Sequence, residues 1–437
     1  MTANLCPESE RAMWKPVLSV LLAGILSASP LVAQDRADDR RASPGAGLPS
    51  PAEQKMAAAR AMLQRDGTSV DGWNELALGL ARRARETADP DFYRQAWDAN
   101  ERARAIAPED LAARKLQVWV LLGQHEFARA VDAAERLNRE VPDDVLVYGF
   151  LVDGYTELGR YADAEKAAQW MLDLRPGNVP GLTRAAHLRE LFGDHSGAVE
   201  LMDTAYRRTP DGEVEDRAWI LTHIAHLSLL SGRLEAAEAM LGEALRLMPE
   251  YHYALAQLAE LRTQQGRADE AVAVRERHVA VAPHPENRYE LGVALQRAGR
   301  RAEARAAFAA FEAAAQAERD SWDNANVELI YHYAAEGRAV DALVLATSEA
   351  ARRGDVRTKE AHAWALHVNG RHAAARAAID AVLAVGVRQP QTYARAAAIA
   401  AAQGDDAGAR DLARRALALN DAAPAAADAR ALLGAAR

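Results

Sequence analysis

The sequence predicts an all-α fold, a superhelical solenoid of about ten helix pairs closed by a C-terminal capping helix. Three observations predict it. Gly159, Gly193, Gly232, Gly266, Gly299, Gly337, Gly370 and Gly404 recur at intervals of 33 to 39 residues. Alanine stands five residues after each glycine, at Ala164, Ala198, Ala237, Ala271, Ala304, Ala342, Ala375 and Ala409. Pro108, Pro142, Pro176, Pro210, Pro249 and Pro283 keep the same beat, at 34 residues with one interval of 39. A fixed period near 34 is what stacked helical hairpins produce, each burying its apolar face only against its neighbours.

Composition agrees. The chain has 437 residues, more than one ordinary core holds, and half of them are hydrophobic. Alanine, the strongest helix former, is abundant, and long alternating strand-like runs are absent. The formal net charge is −9, spread thinly along the chain. No basic block suggests nucleic acid, so the sequence predicts no nucleic-acid partner.

The front end differs from the rest. Residues 13–34 carry Lys15, an apolar run from Val17 to Leu26 and small residues before Ala33. This is the pattern of a signal peptide, expected over 1–33 with cleavage after Ala33. Glu8 and Glu10 cancel Arg11 and Lys15, so Met13 is an alternative start. An uncleaved anchor is a second reading, against which the apolar run is short for a span. No cysteine follows the run, which argues against a lipoprotein. Cys6, the sole cysteine, lies in the segment to be removed, leaving no disulfide or thiolate site. The expectation is a periplasmic or secreted chain with no stable membrane insertion after cleavage. Residues 34–52, rich in Pro, Gly and Ala, read as a flexible tether.

The solenoid is expected over 53–437, opening with a helix at 52–65. Its units run over about 70–108, 109–142, 143–176, 177–210, 211–249, 250–283, 284–320, 321–355, 356–389 and 390–423, with a cap at 424–437. The unit 143–176 shows the logic. Val147, Tyr148, Leu151, Val152, Tyr155 and Leu158 follow helical spacing. Gly159 stops that helix, because glycine takes a left-handed conformation without a Cβ penalty. A second helix starts near Tyr161 and ends before Pro176. Ala164 is small where the two helices cross. The interval of 39 around residues 211–217 is expected to lengthen the loop before Ala218. The interval of 38 is expected to lengthen the second helix after Gly299.

These residues resemble the tetratricopeptide repeat family. Tyr148, Leu151, Val152 and Tyr155, then Ala164, Ala168, Met171 and Pro176 occupy its pattern positions. Leu221, Ile224, Ala225 and Ser228, then Ala237, Leu241, Ala244 and Pro249 do so in a second unit. The resemblance covers about residues 70–423. Arg262, Arg275 and His362 depart from apolar positions, and the last four units lack the closing proline. The chain also resembles exported bacterial proteins of this repeat class. The resemblance implies binding of a protein or peptide partner along a concave surface lined by first helices.

Stepping along that surface gives a candidate groove of Asp153, His187, Trp219, His223, His226, Tyr253, Glu260, Tyr289 and Glu290. Aromatic side chains exposed beside histidine and glutamate suit partner binding, since rigid rings lose little entropy on contact. A solvated face without a ligand is the plainer reading. His187, His223, His226 and Glu260 are also the residue types of a zinc site, but first helices stand roughly 8–10 Å apart. The sequence therefore predicts neither metal nor cofactor.

No catalytic motif is present. In GDHSG (193–197) the serine is fourth, not central as a nucleophile elbow requires. Phosphate-cradling, dinucleotide and H-E-x-x-H patterns are absent. The expectation is a non-enzymatic interaction scaffold. Two alternatives stand beside it: a structural part of an envelope assembly using the convex face or ends, and a hydrolase with His226 and Glu260 as acid and base.

Overall fold

Each sequence interval builds one helical hairpin. The computed structural model describes residues 49–435 apart from position 322. The expected signal peptide, and all but the last residues of the expected tether, lie outside that range. Helix α1 (Pro51–Arg65) leads the array. Ten pairs follow: α2 (Val70–Thr87) with α3 (Asp91–Ile106), α4 (Leu111–Gly123) with α5 (Phe127–Glu140), α6 (Val145–Glu157) with α7 (Tyr161–Leu174), α8 (Val179–Leu191) with α9 (His195–Arg208), and α10 (Val214–Leu230) with α11 (Leu234–Leu247). The series continues with α12 (His252–Gln264) and α13 (Ala268–Val281), α14 (Pro285–Arg297) and α15 (Arg301–Glu318), α16 (Asn326–Ala335) and α17 (Ala339–Arg352), α18 (Val356–Val368) and α19 (His372–Val385), then α20 (Pro390–Ala402) and α21 (Asp406–Leu419). Helix α22 (Ala426–Ala435) closes it, and the described residues contain no strand.

Local chemistry sets these boundaries. The eight recurring glycines all take φ between 67° and 78°, the left-handed stop between the helices of a pair. The eight alanines that follow are each at most 4% exposed, so the crossing helices approach closely. Ser50 starts α1 earlier than the expected end of the tether. Its hydroxyl accepts from the Glu53 amide at 3.2 Å, and its own amide donates to the Glu53 carboxylate at 2.8 Å. The extra residues before Ala218 lengthen the loop by only one, 209–213 against 175–178 at the preceding junction, less than the sequence reading expected. The rest begin α10 early, giving it 17 residues, with Glu215 and Asp216 favoured in its first turn. The other interval does extend a second helix: α15 has 18 residues where α13 has 14.

The array winds tightly enough to meet itself. Arg388 donates to the Gly193 carbonyl at 3.4 Å across 195 residues of sequence. Asn420 donates to the Leu229 carbonyl at 2.6 Å across 191 residues. The ring of His284 donates to the Ala88 carbonyl across 196 residues. The repeated separation means that one superhelical turn takes about 195 residues, between five and six pairs. Turns inside the early pairs are thus covered by loops that enter the late pairs. One apolar cluster accordingly spans both, from Met56 to Leu191 and from Val356 to Ala429. Arg85 adds a buried ionic contact, 2.7 Å from Glu215 and 3.4 Å from Asp216.

The seam leaves two unlike edges. A methyl group built on Gly354 would stand 2.2 Å from the Leu158 carbonyl oxygen, in the turn between α6 and α7. The equivalent late turns, at Gly266, Gly299, Gly337, Gly370 and Gly404, have open space around them. His125 occupies the left-handed place of a turn glycine, with φ of 59°. Its imidazole lies 3.4 Å from Asp323 of the second superhelical turn, a contact that offsets the local strain.

Gly354→Ala tests the seam. It should lower stability by ~1–3 kcal/mol in urea denaturation and enlarge the radius of gyration in X-ray scattering. Gly242→Ala, in an exposed helix interior with open space around it, should stabilise by ~0.5–1 kcal/mol. Equal behaviour of the two variants would remove the seam as a constraint.

Candidate functional site

The inward face of the first helices carries more polar and titratable side chains than a core tolerates unpaired. Asn178 caps α8 by accepting from the Gly181 amide at 2.7 Å. The helix then places His187 and Glu190, three residues apart, on one face. On α10, Trp219, His223 and His226 are four and three residues apart and share a face in the same way.

The two faces meet on Glu190. Its carboxylate lies 2.6 Å from His223 Nε2, 3.1 Å from His226 Nε2 and 3.7 Å from His187 Nδ1. The Glu190 side chain has no exposed surface. Burial opposes its ionisation, but the histidines outweigh burial and hold its pKa well below the usual carboxylate range. Burial pushes the His223 pKa down. Burial acts the same way on His226, yet its bonds to Glu190 and Gln257 raise its pKa overall. Trp219 covers the group, its ring 5.3 Å from that of His223.

The structure therefore gathers part of the predicted groove and disperses the rest. His187, His223 and His226 converge, with Trp219 beside them. Trp219 and His187 are each only 6% exposed, so neither is the exposed groove side chain the sequence suggested. Asp153 is also buried, in a two-pronged ion pair with Arg184 at 2.6 and 2.9 Å. Tyr253 sits against His252 with ring centres 4.0 Å apart. Tyr289 packs on Phe311 at 5.2 Å, and Glu290 lies 3.3 Å from Arg275. Glu260 accepts from Gln264 at 2.9 Å. His226 directs its two ring nitrogens to Glu190 and Gln257, so the His226–Glu260 acid–base pair is not formed.

Glu190 is the residue that sequence reasoning missed. The signal was the H-x-x-E spacing from His187, which puts both on one helical face. The carboxylate sought in the next unit, Glu260, is the wrong partner.

Two cavities lie inside the coil, of about 100 Å³ and 260 Å³. Trp219, His125, Glu286 and Asp323 border both. A third, of about 950 Å³, opens at the N-terminal ends of α6 and α8. Val145, Leu146, Val179 and Pro180 line it, with Lys115, Arg175 and Arg208 among its charged groups. Asp143 and Asp144 line it too, and Lys115 pairs with Asp144 at 2.8 Å. Leu146 and Gly149 of α6 and Pro180 of α8 also line it, so this cavity is a mouth on the first helices.

A sequence model of the tetratricopeptide repeat family matches residues 228–286. The chain carries tetratricopeptide repeats, and its fold is an all-α superhelical repeat. No curated protein sequence matches it. It is similar to a human IFIT1 dimer with m7Gppp-AAAA, at 13% identity and TM-score 0.49, over 83% of this chain and 85% of that one. It is similar to the APC/C hetero-tetramer Cut9–Hcn1, at 12% identity and TM-score 0.45 over 87% of this chain, and spans 58% of that protein's length. It is similar to PilW, a type IV pilus biogenesis factor, at 15% identity and TM-score 0.40, over 46% of this chain and 91% of that one. No helix among the described residues is long and apolar enough to cross a membrane.

Two predictions follow from the buried charges. Asp153→Ala would remove the carboxylate that meets the buried Arg184 guanidinium on two oxygens, and should cost on the order of 3 kcal/mol in chemical denaturation. Replacing both partners with apolar residues of similar volume should recover most of that loss.

The second concerns acid. Burial pushes His195 and His252 down to about 4 and His278 to about 3, from an ordinary 6.5. An unfolded chain takes up protons below pH 6.5 that these folded rings refuse. Their stabilisation is complete above pH 6.5 and is lost as pH falls toward 4. His195 and His252 should each account for on the order of 3 kcal/mol by pH 4. Denaturation midpoints should fall steeply across that window, and His195→Gln with His252→Gln should flatten the slope.

Proposed function

We propose that the chain is an exported, non-enzymatic scaffold that holds an extended segment of a partner protein in the open mouth of its concave face. Tetratricopeptide repeats support an interaction role. The pattern of residues 13–34 supports export to the periplasm or beyond. The observation that carries the placement is the 950 Å³ mouth at the N-terminal ends of α6 and α8, larger than the two interior cavities. Its apolar lining would take hydrophobic side chains. Arg175 is exposed at its rim, and Arg208 hydrogen-bonds only to the Gly177 carbonyl at 3.2 Å. Both would pair with carboxylates of the segment. The deep groove residues, Asp153, His187, Trp219, His223 and His226, would act by shaping the coil, since they are buried against it.

A second reading has its own support. Val340 and Val344, one turn apart on α17, are 69% and 68% exposed. An outward apolar pair suits attachment of the convex face to an envelope assembly.

A photo-crosslinking side chain separates the readings. Placed at Leu146 in the full chain and exposed to envelope extract, it should yield one discrete adduct. Placed at Val340 it should yield none. Arg175→Glu with Arg208→Glu should weaken capture roughly tenfold, the effect of ~1.4 kcal/mol. An adduct from position 340 alone would transfer the function to the convex face.

A further inference from the structure

The carboxylate of Glu190 is fully enclosed, and the hydrogen-bond and ion-pair partners around it are all histidines. That arrangement asks what positive charge sits among them. His226 Nδ1 faces the Gln257 side-chain oxygen at 3.3 Å while Nε2 faces Glu190 at 3.1 Å. A neutral imidazole carries one proton and satisfies only one of these two acceptors. With Nδ1–H donating to Gln257, Nε2 turns a lone pair toward Glu190, a place for a second proton or a cation. His187 raises the same question. Its Nδ1 is buried, has no hydrogen-bond partner, and points toward the carboxylate from 3.7 Å. A buried nitrogen with no hydrogen-bond partner, beside a carboxylate, is available to a ligand.

The donor geometry fits. One ligand atom from each of His187, Glu190 and His223 lies within 4.8 Å of the others. A zinc ion holds nitrogen and carboxylate oxygen at roughly 2.0–2.2 Å, which demands donors a few ångströms apart. His226 Nε2 faces the other oxygen of Glu190 at 3.1 Å and stands beside this group of three, holding the carboxylate in place. Imidazole with a single carboxylate selects a borderline transition ion, not calcium or magnesium.

We propose that His187, Glu190 and His223 form a buried zinc site that ties α8 to α10. Three protein donors hold the ion, a water completes its four-coordination, and enclosure of the donors makes its role structural. It replaces the shared protons of the cluster and locks two neighbouring pairs at the middle of the first superhelical turn. The interaction role of the mouth does not depend on it.

The test uses the full chain, stripped with chelator, dialysed and supplied with Zn²⁺ alone. One zinc per chain should remain after desalting, and the melting midpoint should rise by on the order of 5 °C. Glu190→Gln and His223→Ala should each abolish both effects, with circular dichroism reporting whether the variants fold. If they do not fold, Co²⁺ bound to the unmodified chain decides the matter. An intense four-coordinate visible spectrum supports the site. A six-coordinate spectrum, absence of saturable binding, or equal zinc retention by folded Glu190→Gln protein overturns it and leaves a proton as the charge in the cluster.

Discussion

Contact between successive turns of the superhelix governs the rest of the structure. With about 195 residues per turn, the early turns inside pairs must accept the late entry loops. The Leu158–Gly354 approach shows how little room remains, because even a methyl group would collide there. A solenoid whose repeats touched only their neighbours would tolerate changes in pitch. This one couples residues across its whole length, as the apolar cluster shared by Met56–Leu191 and Val356–Ala429 shows. The seam also decides which surface is available. It covers one edge of the first turn and leaves that turn's other edge open, at the ends of α6 and α8.

Tight winding changes the chemistry of the inward face. Polar residues that would line a wide, wet channel are instead pressed together. The charged ones are accommodated there by groups of opposite charge. Arg85 meets Glu215 and Asp216, Arg184 meets Asp153, and Glu190 meets three histidines. Burial of charge is expensive, so these pairs are weak as a source of net stability. Their strength is specificity, since a slip in the coil would strand charges without partners.

The accessible part of the inward face is therefore not the part the sequence suggested. The aromatic and histidine side chains most suited to gripping a ligand are enclosed. The accessible mouth is built from plainer residues, Val145, Leu146, Val179 and Pro180, with arginines at its margin. A buried cluster around Glu190 holds adjacent pairs together, and the mouth lies beside it on the same first helices.

The hairpins were legible because their causes are local. Each glycine stop, each crossing alanine and each apolar stripe acts within one repeat, so period and spacing sufficed to place the pairs, α1 and α22. The convergence of α8 and α10 was half legible: neighbouring repeats brought His187 and the α10 histidines to mind, but not Glu190 as their centre. The winding was not legible at all. It arises from small rotations accumulated over five to six pairs, and no single repeat encodes the sum. Whether Trp219 faces open solvent or borders interior cavities shared with His125 and Asp323 depends on that sum. By itself the sequence determined an array of helical hairpins, because its signals act within one repeat. Only the tertiary structure decided which residues are enclosed, because enclosure is set by contacts nearly two hundred residues apart.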